Sequence, residues 1–80
     1  MIHSIEAHNP FHNTRATVRV LDDHLREDHG ILHARLSPFQ HRRLERALCG
    51  VRGCLCDETV PREYSLDGGA WRRNQVVIVE

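Results

Sequence analysis

The sequence predicts an α+β fold. A small antiparallel sheet of about four strands packs against one main helix, residues 37–49, which runs into a cysteine knuckle. Three observations lead there. Helix start and stop signals concentrate in one stretch, Ser37 to Cys49. Short runs of alternating apolar and polar residues lie on both sides of it. All three cysteines, Cys49, Cys54 and Cys56, follow directly where that helix ends.

With 80 residues the chain is one small domain, 1–80. A domain of this size buries only about 60% of the surface its unfolded chain exposes. Such scaffolds usually add a disulfide, a metal or an oligomer interface. Aromatic residues make up only 5% of the chain, so a ring-filled core is not available and a staple is expected.

The 11 basic and 11 acidic residues cancel. The total indicates neither a strongly basic nucleic-acid binder nor an acidic DNA mimic. Every cation is Arg, a planar fork suited to carboxylate or phosphate. The 7 His add positive charge below about pH 6.5. The start, Met1 to His8, has no basic and no apolar region of a signal peptide. The longest aliphatic run, Val76 to Val79, is far too short for a membrane span. A soluble, cytoplasmic chain is expected, and there clustered cysteines bind metal or do redox work more often than they form structural disulfides.

Along the chain, residues 1–8 alternate weakly, because Ile2 and Ile5 fall out of phase. Asn9 to Thr14 is turn-rich: Pro10 keeps Asn9 out of the helical region, and Asn13 and Thr14 favour turns and caps. Ala16, Val18 and Val20 share one face at period two, with Thr17 and Arg19 on the other, which makes a half-buried strand. Asp22 to His29 reads either as one or two helical turns, with Asp22 as N-cap and Gly30 as C′, or as a solvated loop. Leu32, Ala34 and Leu36 alternate again and suit an antiparallel partner for the Val18 strand.

Ser37 and Gln40 form a capping box, with Pro38 at N1, where its missing N–H is harmless. Leu44, Ala47 and Leu48 form an apolar stripe helped by Phe39. Arg42, Arg43, Glu45 and Arg46 take the wetter faces, and Gly50 suits the left-handed residue after the helix. Beyond the knuckle, Arg62 to Leu66 reads as a strand and Asp67-Gly68-Gly69 as a turn. Ala70 to Val79 reads as the returning arm of that hairpin.

The knuckle admits three readings. Thiolates suit zinc in a tetrahedral set of four, and Gly50 and Gly53 let the chain fold back between Cys49 and Cys54. Reduced cysteines can also be small buried hydrophobes. A disulfide or redox pair is the third reading, though a redox cysteine is better served at a helix start than after a helix end. Zinc leads, and it needs a fourth ligand. His41 lies roughly 12 Å up the helix axis from Cys49. His8, His12, His33 and Asp57 remain, and His12 is preferred because its loop is so dense in turn residues.

Arg42, Arg43 and Arg46 could face phosphate or lie on a solvated flank with Glu45 pairing Arg42 or His41. Trp71 beside Arg72-Arg73 has an interface-like composition, although Trp is also the obvious core filler. No catalytic spacing of His, Asp or Ser is found, and no phosphate-binding glycine loop. The expectation is therefore not an enzyme.

Two stretches carry a resemblance. The Asn9-Pro-Phe-His-Asn-Thr14 segment before a strand, and Ala47-Leu-Cys-Gly50 continuing to Gly53-Cys-Leu-Cys56, resemble small proteins of bacteriophages and prophages. That group includes the anti-CRISPR inhibitors of host defence. These share no common fold, so the resemblance implies an interaction role alone: occupying a host protein or nucleoprotein complex. The contact residues expected are Arg42, Arg43, Arg46 and Trp71. The alternative is a small zinc-dependent nucleic-acid-binding or regulatory protein.

Overall fold

The structure is a computed structural model that describes residues 1–56, 62–70 and 76–79. The α+β expectation holds. Among the described residues it takes the form of two three-stranded sheets with one α-helix, in place of a single sheet.

Strands β1 (Ile2–Asn9) and β2 (Thr14–Leu21) form an antiparallel hairpin, in register from Ile2↔Leu21 to Asn9↔Thr14. Strand β5 (Glu63–Leu66) pairs antiparallel with the other edge of β1, giving the order β2-β1-β5. The weak alternation of β1 is thus no obstacle. As the central strand it satisfies backbone groups on both edges, and Ile5, Ala7 and Asn9 turn inward while Ile2 stays exposed. In β2, Ala16, Val18 and Val20 alternate with exposed neighbours as their pattern predicts.

The second sheet holds β3 (Leu25–Asp28), β4 (Ile31–Arg35) and β6 (Val76–Val79), in the order β3-β4-β6. The charged stretch after β2 is a 3-10 turn, Asp22–His24, that passes into β3. His29 and Gly30 both have left-handed backbones, φ 51° and 79°, so Gly30 serves a tight hairpin and not a helix end. Strand β4 pairs with β3 and β6, and β2 is already paired to β1, so the expected partnership of β4 with the Val18 strand does not form.

The Asp67-Gly68 turn is present, with φ of 50° and 81°. Its two arms nevertheless go to different sheets. β5 joins β1, and β6 lies parallel to β4 with Leu32↔Val76 and Ala34↔Ile78. Parallel pairing needs a long crossover, and the helix supplies part of it.

Helix α1 (Pro38–Leu48) begins in the expected capping box. The Gln40 amide donates to Ser37 Oγ at 3.1 Å, and the Ser37 amide donates to Gln40 Oε1 at 3.0 Å. Leu44 and Leu48 are buried, whereas Phe39 is 62% exposed and lies outside the apolar stripe. The Arg43 guanidinium covers its ring at 5.7 Å. The helix ends because Cys49 is extended (φ −153°), its N–H reaching back to the Glu45 carbonyl. Gly50 is not among the left-handed glycines, so the expected glycine cap is not used.

Among the described residues the buried core is aliphatic: Ile5, Ala7, Val20, Ala34, Leu36, Leu44 and Leu48. Tyr64 packs at its margin, and burial, with help from the Glu45 charge, pushes its phenol up to about 12 against the pull of Arg62. Leu48 is fully buried, so Leu48→Ala should cost about 2–5 kcal/mol, measured by urea denaturation.

A polar cluster closes the end of the first sheet at Ile2 and Leu21. The ring of His3 on β1 touches Asp67 through Nδ1 (2.6 Å) and Asp22 through Nε2. Asp67 also accepts from the Ser4 amide at 2.8 Å. These hydrogen bonds, Asp67 first, raise the His3 pKa above 6.5, and the same contacts hold both carboxyls below 3.8. A raised histidine contributes in full below its unfolded value and fades as pH climbs through its folded value. The lowered aspartates contribute above their unfolded value and fade in acid. Stability from this cluster is therefore greatest between about pH 4 and 6.5. The difference in melting temperature between wild type and His3→Gln should shrink as pH rises from 6 to 9, and a constant difference would refute the linkage.

Candidate metal centre

The site is assembled from three segments, and hydrogen bonds between them are what bring it together. The β1–β2 hairpin closes through residues 10–13. Asn9, at its base, is fully buried. Its Oδ1 accepts from the Phe11 amide at 3.1 Å, which curls the loop, and its Nδ2 donates to the Leu48 carbonyl at 3.2 Å. Thr14 Oγ1 donates to the same carbonyl. The last carbonyls of a helix lack intrahelical partners, so these side chains satisfy one and moor the hairpin to the end of α1. His12 is thereby delivered beside Cys49.

His8 steadies the loop from the other side. Its Nε2 contacts Asn13 Oδ1 at 2.9 Å, and its Nδ1 contacts Glu63 on β5 at the same distance. Asn13 adopts a left-handed backbone, φ 54°, a conformation that Asn tolerates better than most residues. Phe11 meets the His12 ring edge-on, with centroids 4.8 Å apart.

Past the helix the chain reverses over residues 51–54, where the Cys54 amide donates to the Val51 carbonyl at 3.3 Å. Gly53, at φ 77°, supplies the left-handed step. That reversal returns Cys54 and Cys56 towards Cys49. The result is a cluster of His12, Cys49, Cys54 and Cys56 whose ligand atoms all lie within 4.8 Å of one another. His12 Nε2 stands 3.2 Å from Cys54 Sγ and 3.6 Å from Cys49 Sγ. In a tetrahedral centre of three sulfurs and one nitrogen, neighbouring ligand atoms sit about 3.6–3.8 Å apart. The four residues could hold a metal ion.

The cluster is graded in depth, with His12 exposed, Cys49 and Cys54 half-buried and Cys56 buried. Behind Cys56 lies Arg62, whose side chain is only 6% exposed. One nitrogen reaches the Cys56 carbonyl at 3.5 Å and its sulfur at 3.6 Å, and the other pairs with Glu45 at 3.0 Å. Burial pushes the Cys56 thiol up, but hydrogen bonds from Asn9, Cys49, Cys54 and Arg62 outweigh it and hold the pKa below the usual thiol value. At Cys49 a backbone contact with Val51 lowers the value, yet burial and the two neighbouring thiols prevail and raise it. Cys56, the deepest of the three sulfurs, is also the one beside the Arg62 cation.

The structure thus brings together the three cysteines and the preferred fourth residue, His12. His8 is engaged with Glu63 and Asn13, His33 lies on β4 and His41 on α1. Asp57 and Trp71 lie outside the described residues. Arg42, Arg43 and Arg46 are exposed on α1. Glu45 pairs with Arg62, across 17 residues, and not with Arg42 or His41 as the helix spacing suggests. Sequence reasoning did not single out Asn9 or Arg62 as supports. For Asn9 the Asn-Pro turn was a usable signal. For Arg62 there was none, since its partners sit on separate segments.

Comparison with protein families, curated proteins and solved structures gives no match to this chain.

Asn9→Ala removes the donor to Leu48 and the acceptor that curls the loop. It should cost about 1–3 kcal/mol of stability and weaken metal retention as His12 drifts. Urea melts with and without chelator measure both effects, because the gap between the two curves should narrow in the variant.

Proposed function

We propose that this chain is a non-enzymatic binding module whose fold is held by one structural zinc ion on His12, Cys49, Cys54 and Cys56. The observation that carries the reading is the closed ligand set. Structural zinc sites take four protein ligands, whereas catalytic ones leave a position open for water or substrate. Three thiolates and one neutral imidazole also favour zinc over the hard, oxygen-seeking cations. Zinc with three thiolates carries a net charge of about −1, and the Arg62 guanidinium beside Cys56 offsets it. Outer-shell groups of this kind orient and tune the ligands.

The ion would tie the hairpin loop, the end of α1 and the knuckle into one body. Among the described residues the fully buried core members include no aromatic ring, which leaves room for that contribution. The binding role falls to the exposed Arg42, Arg43 and Arg46, with Trp71. The likeness to small phage proteins and anti-CRISPR inhibitors makes a host protein or nucleoprotein complex the proposed partner.

Protein purified from zinc-supplemented culture should carry about one zinc per chain, and Cys54→Ser should lose most of it. Chelation should lower the melting temperature sharply in the wild type and hardly at all in the variant. Cobalt substitution should give the absorption of a tetrahedral thiolate centre. Metal-free protein with unchanged melting in chelator would defeat this reading.

A further inference from the structure

A groove of about 300 Å³ runs between the outer edge of β2 and helix α1, with Arg19 and Arg43 on its rims and Val18 and Leu44 at its floor. We propose that this groove takes an extended acidic peptide of a partner protein, which adds as a strand to the free edge of β2. The proposal deepens the binding-module reading and rests on it, because it names the surface and the chemical class of the partner.

The first support is an unpaired strand edge. Among the described residues β2 pairs with β1 alone and stands at the end of its sheet. Gln40 Nε2 on α1 reaches the Arg19 carbonyl at 3.5 Å, so that carbonyl points away from β1. In an antiparallel strand a residue's N–H and C=O share one side and alternate residues repeat it. Arg15 and Thr17 therefore turn their backbone groups to the same open edge. A strand edge beside a helix is how several peptide-binding domains hold an extended ligand, with main-chain bonds giving affinity and alternate side chains giving selectivity.

The second support is charge. Arg15 and Arg19 on β2 and Arg42, Arg43 and Arg46 on α1 are exposed, and none makes an ion pair with a carboxylate among the described residues. Glu6, opposite Thr17 on β1, is the nearest carboxylate by register and forms no such pair. Four carboxylates elsewhere are engaged: Asp22 and Asp67 with His3, Glu63 with His8, Glu45 with Arg62. The zero net charge of the chain therefore hides two arginines at this groove, Arg19 and Arg43, with Arg15, Arg42 and Arg46 exposed on the same two elements. Planar guanidinium forks match carboxylates in bidentate geometry, and the apolar floor suits the alternate side chains of an extended strand.

The test uses the zinc-loaded full chain and a fluorescent peptide that alternates Glu and Val. Polarisation should report saturable binding. The double variant Arg19→Glu/Arg43→Glu should weaken it by about tenfold or more, and Arg35→Glu, away on β4, should not. A peptide N-methylated at alternate amides should lose binding to a similar degree, which tests strand addition without altering the protein. Slowed amide exchange at Arg15 and Thr17 should accompany the complex. Absence of binding to folded, zinc-containing protein would overturn the groove assignment and leave the zinc reading standing, since metal content is read on the same sample. Equal binding of the N-methylated peptide, or equal competition by an oligothymidylate, would overturn it in favour of general polyanion attraction.

Discussion

The Leu48 carbonyl is the point on which the arrangement turns. It sits at the end of α1 and receives both the Asn9 amide and the Thr14 hydroxyl. A helix end buried without partners is costly, and here the cost is met by side chains from the base of a hairpin. The hairpin and helix are thus fixed to each other before any metal is considered. His12 at the hairpin tip and Cys49 just past the helix then fall within reach of one another. Leu48 itself fills the core on its side-chain end, so one residue ties the hydrophobic interior to the polar junction.

The electrostatics follow the same junction inward. Gathering three sulfurs concentrates negative charge as they ionise, and burying charge without compensation is expensive. Arg62 provides the compensation from within, anchored to Glu45 on α1 so that its position does not depend on a ligand. A buried cation paired with a carboxylate contributes modestly on its own. Placed against Cys56 as well, it lowers the free energy of the thiolate form at the least accessible sulfur. His12 is exposed and Cys49 and Cys54 are half-buried, so the cluster faces solvent on the side away from Cys56.

Much of this was legible in the sequence because local chemistry decided it. The capping box of Ser37 and Gln40, the period-two face of Ala16, Val18 and Val20, and the left-handed Asp67-Gly68 turn each depend on neighbours a few residues away. The grouping of the cysteines was legible too, and the turn-rich loop pointed to His12. Strand partnership was not. Tyr64 and Val76 flank a strong turn signal, yet their strands pair with β1 and β4, since pairing is decided by which edge is open after collapse and not by the turn alone. Phe39 was misplaced for a similar reason: helical spacing puts it near the apolar stripe, but at the first turn it overhangs the core and packs under Arg43 instead. The ion pair of Glu45 went to Arg62 because a partly buried partner outcompetes a solvated neighbour on the same helix.

Helix α1 is held at both ends along β2, by Gln40 on the Arg19 carbonyl at its start and by Leu48 on Asn9 and Thr14 at its finish. The distance between helix and strand, and so the width of the groove they enclose, is set by those two moorings. The first is a single long hydrogen bond at an exposed position and is the weaker. The second is reinforced by whatever the His12 and cysteine cluster binds. On the proposed reading, a metal ion there would fix the end of α1 against the hairpin and hold the Arg43 rim opposite the Arg19 rim. The proposed staple and the proposed binding surface would therefore not be separate features. Loss of such an ion would loosen one wall of the groove while leaving its side chains intact, so the proposed peptide, which needs both walls, would sense the metal without touching it.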